Sequence, residues 1–479
     1  MTHATPTDSA PRASLAPNFL LTAARLASLT WPLAARVFPE KLEIDDSQSL
    51  WTSETPDYAP TPPLMQDTTA DLVIIGGGFT GVSTAYHFSD RYPEKRVILL
   101  EAKSLANGAS GRNGGLMLNW LAVTGDYGPE MTPRIYQTTN AAIQTIRDII
   151  ARHHLNVSHR VDGTVTVYTD TQRAEAAHAE IEHFRSLGIP EQFFDSTETA
   201  KRLQMSGVHG AVFDPNAGQI NGAQLVRGLR PVLQARGVEI YEGTPVLRLH
   251  EGSTITVTTP HAEIKTKAVM IATNGYTSKL GYFRDALFPL HSHVFATAPL
   301  TPEQRQQIGW GEIAGFSDDL DRISYGSLTS DGRLVFGGGS NQSYAYLFNN
   351  RTAYPGTPGS APRSFTAMQD TLAKYMPDSR RLPITHRWTG TLGITLDRHA
   401  LMGVRGIDQN IYYAIGFNGH GVTMGNMAGQ VITDLYGRED SRWRGMPFYR
   451  QFYPSIPPEP FRWIGYQTFT RLTGSSPRV

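Results

Sequence analysis

Gly76, Gly78 and Gly81 fall at the glycine positions of a G-x-G-x-x-G run, and Glu101 follows about 20 residues later. Residues of these types at this spacing can hold a dinucleotide. Gly76 permits a tight turn, Gly78 lets backbone amides approach a pyrophosphate, and Gly81 lets a helix pack close against a strand. Phe79 and Thr80 begin that helix, whose N-terminal end is partially positive and favours phosphate. Glu101, followed by Ala102, stands where a carboxylate accepts hydrogen bonds from ribose hydroxyls. A P-loop is excluded, because Val82 occupies the position that needs lysine. This unit alone does not separate NAD from FAD.

The elements that must position these groups are readable around them. Residues 71–75 are a β-branched apolar run, the pattern of a buried parallel strand. Residues 79–92 read as a helix with Val82, Ala85, Tyr86 and Phe88 inward, and 96–100 as the next strand. Further strands are expected at 238–241 and 268–271, with helices at 222–236 and at 422–436, the latter stopped by Gly437. Residues 164–168, 293–297 and 333–336 alternate in the manner of strands, and no internal repeat is found.

A second glycine-dense loop, 108–115, follows the ribose acid directly. Gly111, Gly114 and Gly115 let backbone approach a large flat ligand, and Ser110, Arg112 and Asn113 add donors for phosphate and ring oxygens, with Leu116 next in line. Together with residues 267–275, 331–339, 387–393 and 416–423, this chain resembles the D-amino-acid-oxidase-like family of FAD oxidoreductases over roughly residues 47–474. The resemblance implies an α/β fold: a Rossmann-type FAD-binding domain and a discontinuous, mainly antiparallel-sheet (α+β) substrate domain. The FAD-binding domain would take 66–160, 207–282 and 396–437, and the substrate domain 161–206 and 283–395. Residues 1–65 form an N-terminal extension and 438–479 an aromatic-rich tail. The resemblance places Val246, Thr273, Asn274, Gly275, Gly390, Gly419, His420, Gly421, Val422 and Thr423 near the cofactor. It implies non-covalent FAD, since no histidine stands in 109–115.

Family chemistry implies loss of a hydride from the carbon beside an amine nitrogen to flavin N5, then hydrolysis of the imine. The helix after Gly419-His420-Gly421 would point its N-terminus at the flavin edge that gains negative charge. His420 either adds a donor there or only spaces the glycines. His420 and Trp388 are the candidate catalytic residues, and Leu116, His291, Tyr325 and Trp388 the candidate substrate pocket, although the last three also read as core. Residues 389–395 contain no arginine to clamp a carboxylate, which disfavours a simple α-amino acid and favours a secondary amine or polyamine derivative. Arg387 and Arg398 are nearby alternatives. Residues 339–343 lack the lysine that oxygen-using relatives carry, so the acceptor is either oxygen or a quinone or carrier.

Composition narrows the field further. The 479 residues suit two or three domains. Lys+Arg and Asp+Glu both number 43, so no bulk positive charge is available to hold nucleic acid. The absence of cysteine excludes disulfides, thiolate zinc sites, iron–sulfur clusters, a Cys nucleophile and a Cys-tethered flavin, and no metal is expected. Residues 18–38 read as an apolar helix interrupted by Arg25 and kinked at Pro32, too broken to span a bilayer. Three readings stay open for it: docking on the protein's own body or a partner subunit, a peripheral membrane contact, or a transit-type peptide. Residues 59–63 read as an extended proline-rich linker, and catalysis is not expected to depend on the extension. Phe461, Trp463, Ile464, Tyr466, Phe469 and Leu472 of the tail either pack on the body or anchor at a membrane surface. A cytoplasmic enzyme is expected, with peripheral membrane attachment as the open addition and the oligomeric state unspecified.

Overall fold

A computed structural model describes residues 31–45, 47–123, 125–320, 322–354 and 362–473. The strand Thr68–Ile75 is continued by the helix Phe79–Arg91 and returns as the strand Val97–Leu100, parallel to the first. Parallel neighbours need such a crossover, and helix-covered faces make their strands apolar throughout. Ile411–Ile415, Glu263–Ile271, Thr68–Ile75, Val97–Leu100 and Glu239–Tyr241 lie side by side in that order, all parallel. Alternate side chains serve opposite faces. Leu72, Ile74, Val97 and Leu99 enter one apolar cluster, and Val73, Ile75, Ile98 and Leu100 another. On the first face the helices Phe79–Arg91 and Gly421–Tyr436 touch so closely that a Cβ on Gly429 would lie 2.3 Å from Ser83 Oγ.

The second sheet has nine strands, ordered Tyr344–Tyr346, Phe288–Pro299, Arg333–Gly338, Ser324–Leu328, Gly315–Asp318, Thr164–Tyr168, Gly210–Asp214 and Gln192–Asp195, with Ile384–Ile394 pairing Phe288–Pro299. All its pairs are antiparallel except Gly315–Asp318 with Thr164–Tyr168. In Thr164–Tyr168 the two valines enter the sheet's own core with Phe316 and Phe336, while Thr164, Thr166 and Tyr168 face a large cavity between the sheets.

Two expected boundaries move. Gly210–Asp214 pairs within the second sheet, so the chain re-enters the first body after residue 214 rather than at 207. The helix expected over 222–236 is two helices, Gly222–Gly228 and Arg230–Ala235, because Pro231 lacks the N–H that would continue the first.

The extension is not a free appendage. Thr61 N–H and the Tyr58 hydroxyl both donate to the fully buried carboxylate of Glu242, so the proline-rich stretch is tied down at its start. Of the apolar helix expected over 18–38, residues 18–30 lie outside the described residues. The described turn, Trp31–Val37, carries Leu33 and Val37 on the outside, with Arg462 over the Trp31 ring. In the tail, the helix Phe461–Thr473 packs Tyr466 against Phe288 and Tyr346 but leaves Phe461, Ile464 and Leu472 exposed. No helix among the described residues is long and apolar enough to cross a membrane.

Candidate active site

One cavity of about 1630 Å³ runs between the two sheets, and both glycine loops open onto it. At its first wall Gly76 sits at φ 109°, a conformation that any side chain would strain. A Cβ on Gly81 would lie 1.8 Å from the Gly76 carbonyl oxygen, so only glycine lets the helix start this close to the strand. The helix Phe79–Arg91 begins on Gly78 with no side-chain cap, and its end faces the cavity. The Phe79 N–H donates to Ser110 Oγ at 2.9 Å, which joins the two glycine loops.

Glu101 lines the same wall. Its Oε2 accepts from Gly77 N–H at 2.7 Å and its Oε1 from Lys103 N–H at 2.9 Å, which fixes the carboxylate toward the cavity. Burial pushes its carboxyl above the ordinary range, partly offset by these amide bonds. Ribose hydroxyls would replace lost water as donors to the remaining lone pairs. Glu101→Ala should raise the FAD dissociation constant about 10- to 100-fold through lost charge-assisted bonds, measured by titrating apoprotein with FAD. An unchanged constant would remove Glu101 from the ribose site.

The second loop is held in an unexpected way. Four successive carbonyls take donors from three distant segments: Gly111 from Ser49 Oγ and Asn113 from Trp51 Nε1, Arg112 from Trp388 Nε1, and Gly114 from Ser327 Oγ. The N–H groups of Asn113 and Gly114 have no acceptor among the described residues, and both residues line the cavity. The donors this loop offers a ligand are therefore backbone amides. The expected side-chain donors are engaged elsewhere. Arg112, 3 % exposed, donates to Asn107 O, Asp45 O, Ser47 and Thr389 O, and lies 3.5 Å from the Asp45 carboxylate. The Asn113 amide bonds Ala109 O, Ser110 O and Gly115 N–H. Trp51, Ser49 and Asp45 belong to the extension that catalysis was not expected to need. Sequence reasoning missed them because their spacing to the loop is not local.

Ala102, Val246, Thr273, Asn274, Gly275, Gly390, Gly419, His420, Gly421 and Val422 also line the cavity, while Gly81, Gly111, Gly115 and Thr423 shape its walls without facing it. The Thr423 hydroxyl, for instance, donates to Leu118 O. The helix Gly421–Tyr436 starts with no side-chain cap at the cavity, so two bare helix ends open onto one space. His420 makes the turn that launches it, its N–H donating to Phe417 O and its carbonyl accepting from Met424 N–H.

Of the expected substrate residues, Leu116 and Tyr325 line the cavity. The Tyr325 hydroxyl lies 2.9 Å from Ser292 Oγ, and burial pushes the phenol up to about 12. Trp388 and His291 do not line it. Trp388 is fully buried and its indole holds the second glycine loop at Arg112 O, so it is a packing residue. His291 points to Arg351 O and Thr391, and burial lowers its pKa to about 4, leaving a neutral structural ring. Arg398 reaches the cavity wall, while Arg387 lies over Phe365 outside it. Among the described lining residues the lysine is Lys279, held by Glu40 at 3.3 Å and Asn350 O at 2.6 Å. Arg322, also lining the cavity, leaves Nη2 without a partner.

The glycine cradle, the two bare helix ends, the free amides of Asn113 and Gly114 and the inward Glu101 fit an extended dinucleotide with a flat ring. Comparisons with known proteins agree. The model of a family described as FAD dependent oxidoreductase (DAO) matches residues 71–435. Gamma-glutamylputrescine oxidoreductase of Escherichia coli (strain K12) is 26% identical over 420 residues, 83% of this chain and 91% of that protein. Glycine oxidase of Geobacillus kaustophilus (strain HTA426) is 22% identical over 382 residues, 79% of this chain and 96% of that one. The crystal structure of glycine oxidase from Geobacillus kaustophilus superposes with a TM-score of 0.67 at 18% identity, covering 80% of this chain and 99% of that one.

Proposed function

This chain belongs to the DAO family of FAD-dependent oxidoreductases, and from that premise we propose that it oxidises the carbon beside nitrogen in a secondary amine or polyamine derivative. At the coarser level it is an FAD flavoenzyme acting on CH–NH groups of amines or amino acids. FAD, when bound, would supply the two-electron acceptor for oxidation of the substrate's C–N bond, and water would hydrolyse the resulting imine.

The chain's own residues position and polarise. Gly76, Gly78 and the Phe79–Arg91 helix end would hold the pyrophosphate, and Glu101 a ribose. The Asn113 and Gly114 amides and the Gly421–Tyr436 helix end would face developing negative charge, where preorganised donors are most effective. Leu116 and Tyr325 would bound the substrate, the phenol remaining protonated at neutral pH. The observation that supports this reading most is that all these donors, and a polar sheet face, share one cavity. FAD would be held without a covalent bond.

Anaerobic bleaching of the holoenzyme's flavin by a panel of amines, polyamines and N-methyl amino acids tests the reading without assuming an acceptor. Bleaching by secondary amines or polyamines is expected. Bleaching by none of the panel, in holoenzyme whose flavin dithionite still reduces, would overturn it. A second reading, a dehydrogenase passing electrons to a quinone or carrier, is favoured by the engagement of Lys279 with Glu40. Rapid reoxidation of the reduced holoenzyme by oxygen would exclude it.

A further inference from the structure

Beyond Tyr325 the cavity continues across the second sheet. Tyr325 pairs in register with Ser317, Ser317 with Thr166, and Thr166 with Val212, and all four line the cavity. Three strand spacings of ~4.8 Å carry this floor roughly 14 Å from Tyr325. The far lobe is bounded by Asn119, Trp120, Phe184, Glu191 and Asp214.

Two carboxylates are buried there, Glu191 at 5 % exposure and Asp214 at 7 %, and neither pairs with a cation among the described residues. Asp214 is saturated: it accepts from the Asn119 amide at 2.7 Å, from Tyr136 Oη at 2.9 Å and from Asn216 N–H at 2.9 Å. Glu191 is not. One of its oxygens accepts from Trp120 Nε1 at 2.8 Å, and the other has no hydrogen-bond partner among the described residues. Asn119, which lines the same lobe, is 3 % exposed, and its Oδ1 has no hydrogen-bond partner among the described residues, its amide nitrogen being held by Asp214. Buried acceptors without donors are unfavourable unless something fills the space with donors.

We propose that this lobe is a subsite for a second cationic nitrogen of the substrate, an ammonium bound by Glu191 and Asn119 Oδ1. This rests on the amine-oxidising reading and specifies its substrate class: an extended molecule with a protonated nitrogen remote from the one oxidised. An ammonium brings three donors. Glu191 and Asn119 supply acceptors without donors among the described residues, and the Trp120 and Phe184 rings, tilted against each other with centroids 5.2 Å apart, close the lobe with aromatic surface. A metal ion fits less well, since no three metal-ligating side chains converge among the described residues. Burial and the neighbouring Asp214 hold the Glu191 carboxyl above the ordinary range, so the site favours an arriving positive charge over bare ionisation.

The test compares spermidine with N-methylbutylamine on FAD-loaded protein, by anaerobic calorimetry for binding and flavin bleaching for reaction. Wild type should bind spermidine at least about 10-fold tighter than the monoamine. In Glu191→Gln, whose amide oxygen can still accept from Trp120, this discrimination should collapse to about threefold or less. Asn119→Ala should reduce it partially, and decides the matter if Glu191→Gln does not accumulate as folded flavoprotein. Equal affinity in wild type, or discrimination untouched by both substitutions, overturns the subsite and leaves Glu191 a protonated wall residue. The two readings fail separately: if no amine bleaches the flavin while the calorimetric preference still depends on Glu191, amine oxidation falls and the cation subsite stands.

Discussion

Gly78→Val should yield a folded but colourless protein. A Cβ at residue 78 meets Ser110 Oγ at 2.6 Å, the tip of one side chain that can turn aside. That movement breaks the bond from Phe79 N–H and costs about 1 kcal/mol, within the reach of a domain this size. The valine methyls then occupy the space through which a pyrophosphate must approach the helix end, and no adjustment of Ser110 restores it. Far-UV circular dichroism near wild type together with loss of flavin absorbance is the expected pair of results, and a full flavin spectrum would refute the cradle. Gly81→Ala separates the two effects. Its Cβ would lie 1.8 Å from a backbone oxygen, so the helix itself must move. Here stability should fall with the flavin, by about 1–3 kcal/mol or more.

Arg112→Ala is the second large effect, and it distinguishes what the sequence suggested from what the structure shows. If Arg112 served the cofactor, apoprotein stability would not change. Its guanidinium instead joins three distant pieces of chain, residues 45–47, the loop around Asn107 and Thr389, with the Asp45 carboxylate at 3.5 Å. Alanine would strand these acceptors and leave Asp45 with an unbalanced charge, an expected loss of about 3–5 kcal/mol. Urea unfolding of the apoprotein measures it free of the stabilisation that bound FAD adds. Arg112→Lys should recover little, since one ammonium cannot span acceptors arranged for a planar fork. Acid sensitivity should change in a known direction. Burial works to raise the Asp45 pKa, but Arg112, Ser47 and Thr389 outweigh it and hold the carboxyl below its ordinary value. A depressed carboxylate contributes stability above its unfolded pKa, near 4, and loses it as pH falls through the lower folded value. Without Arg112 only the Ser47 and Thr389 hydrogen bonds oppose burial, so the carboxyl should rise and acid unfolding should begin at higher pH.

The two glycine loops were legible for different reasons and to different depths. In the first, each requirement is steric and local: Gly76 for φ 109°, Gly81 for contact with Gly76 itself five residues earlier, Glu101 at the end of the adjacent strand. In the second, the glycines were correctly read as places for close approach, but the donors were assigned to the wrong atoms. Arg112 and Asn113 are polar and exposed in any linear reading. Only the folded chain shows that Asp45, Ser47, Thr389 and the loop's own carbonyls engage them, which leaves the backbone amides turned to the cavity. Trp388 and His291 misled for a related reason. Neither residue stood in an expected strand, and in the fold Trp388 faces the loop at Arg112 O and His291 faces Arg351, away from the ligand space.

What the amino-acid order determined by itself is the dinucleotide cradle, because it is encoded by periodicity and glycine spacing within about 30 residues, the reach of one βαβ unit; the family and the mainly antiparallel second sheet were expected from the resemblance that the later motifs carry. What the tertiary structure alone decided is which polar groups remain available once folding has satisfied the rest. Trp51 reaches Asn113 across 62 positions, and Asp214 takes the Asn119 amide across 95, leaving Asn119 Oδ1 without a partner among the described residues. Hydrogen bonds between groups that distant form only after the sheets have packed, so the vacancies they leave have no signature in sequence.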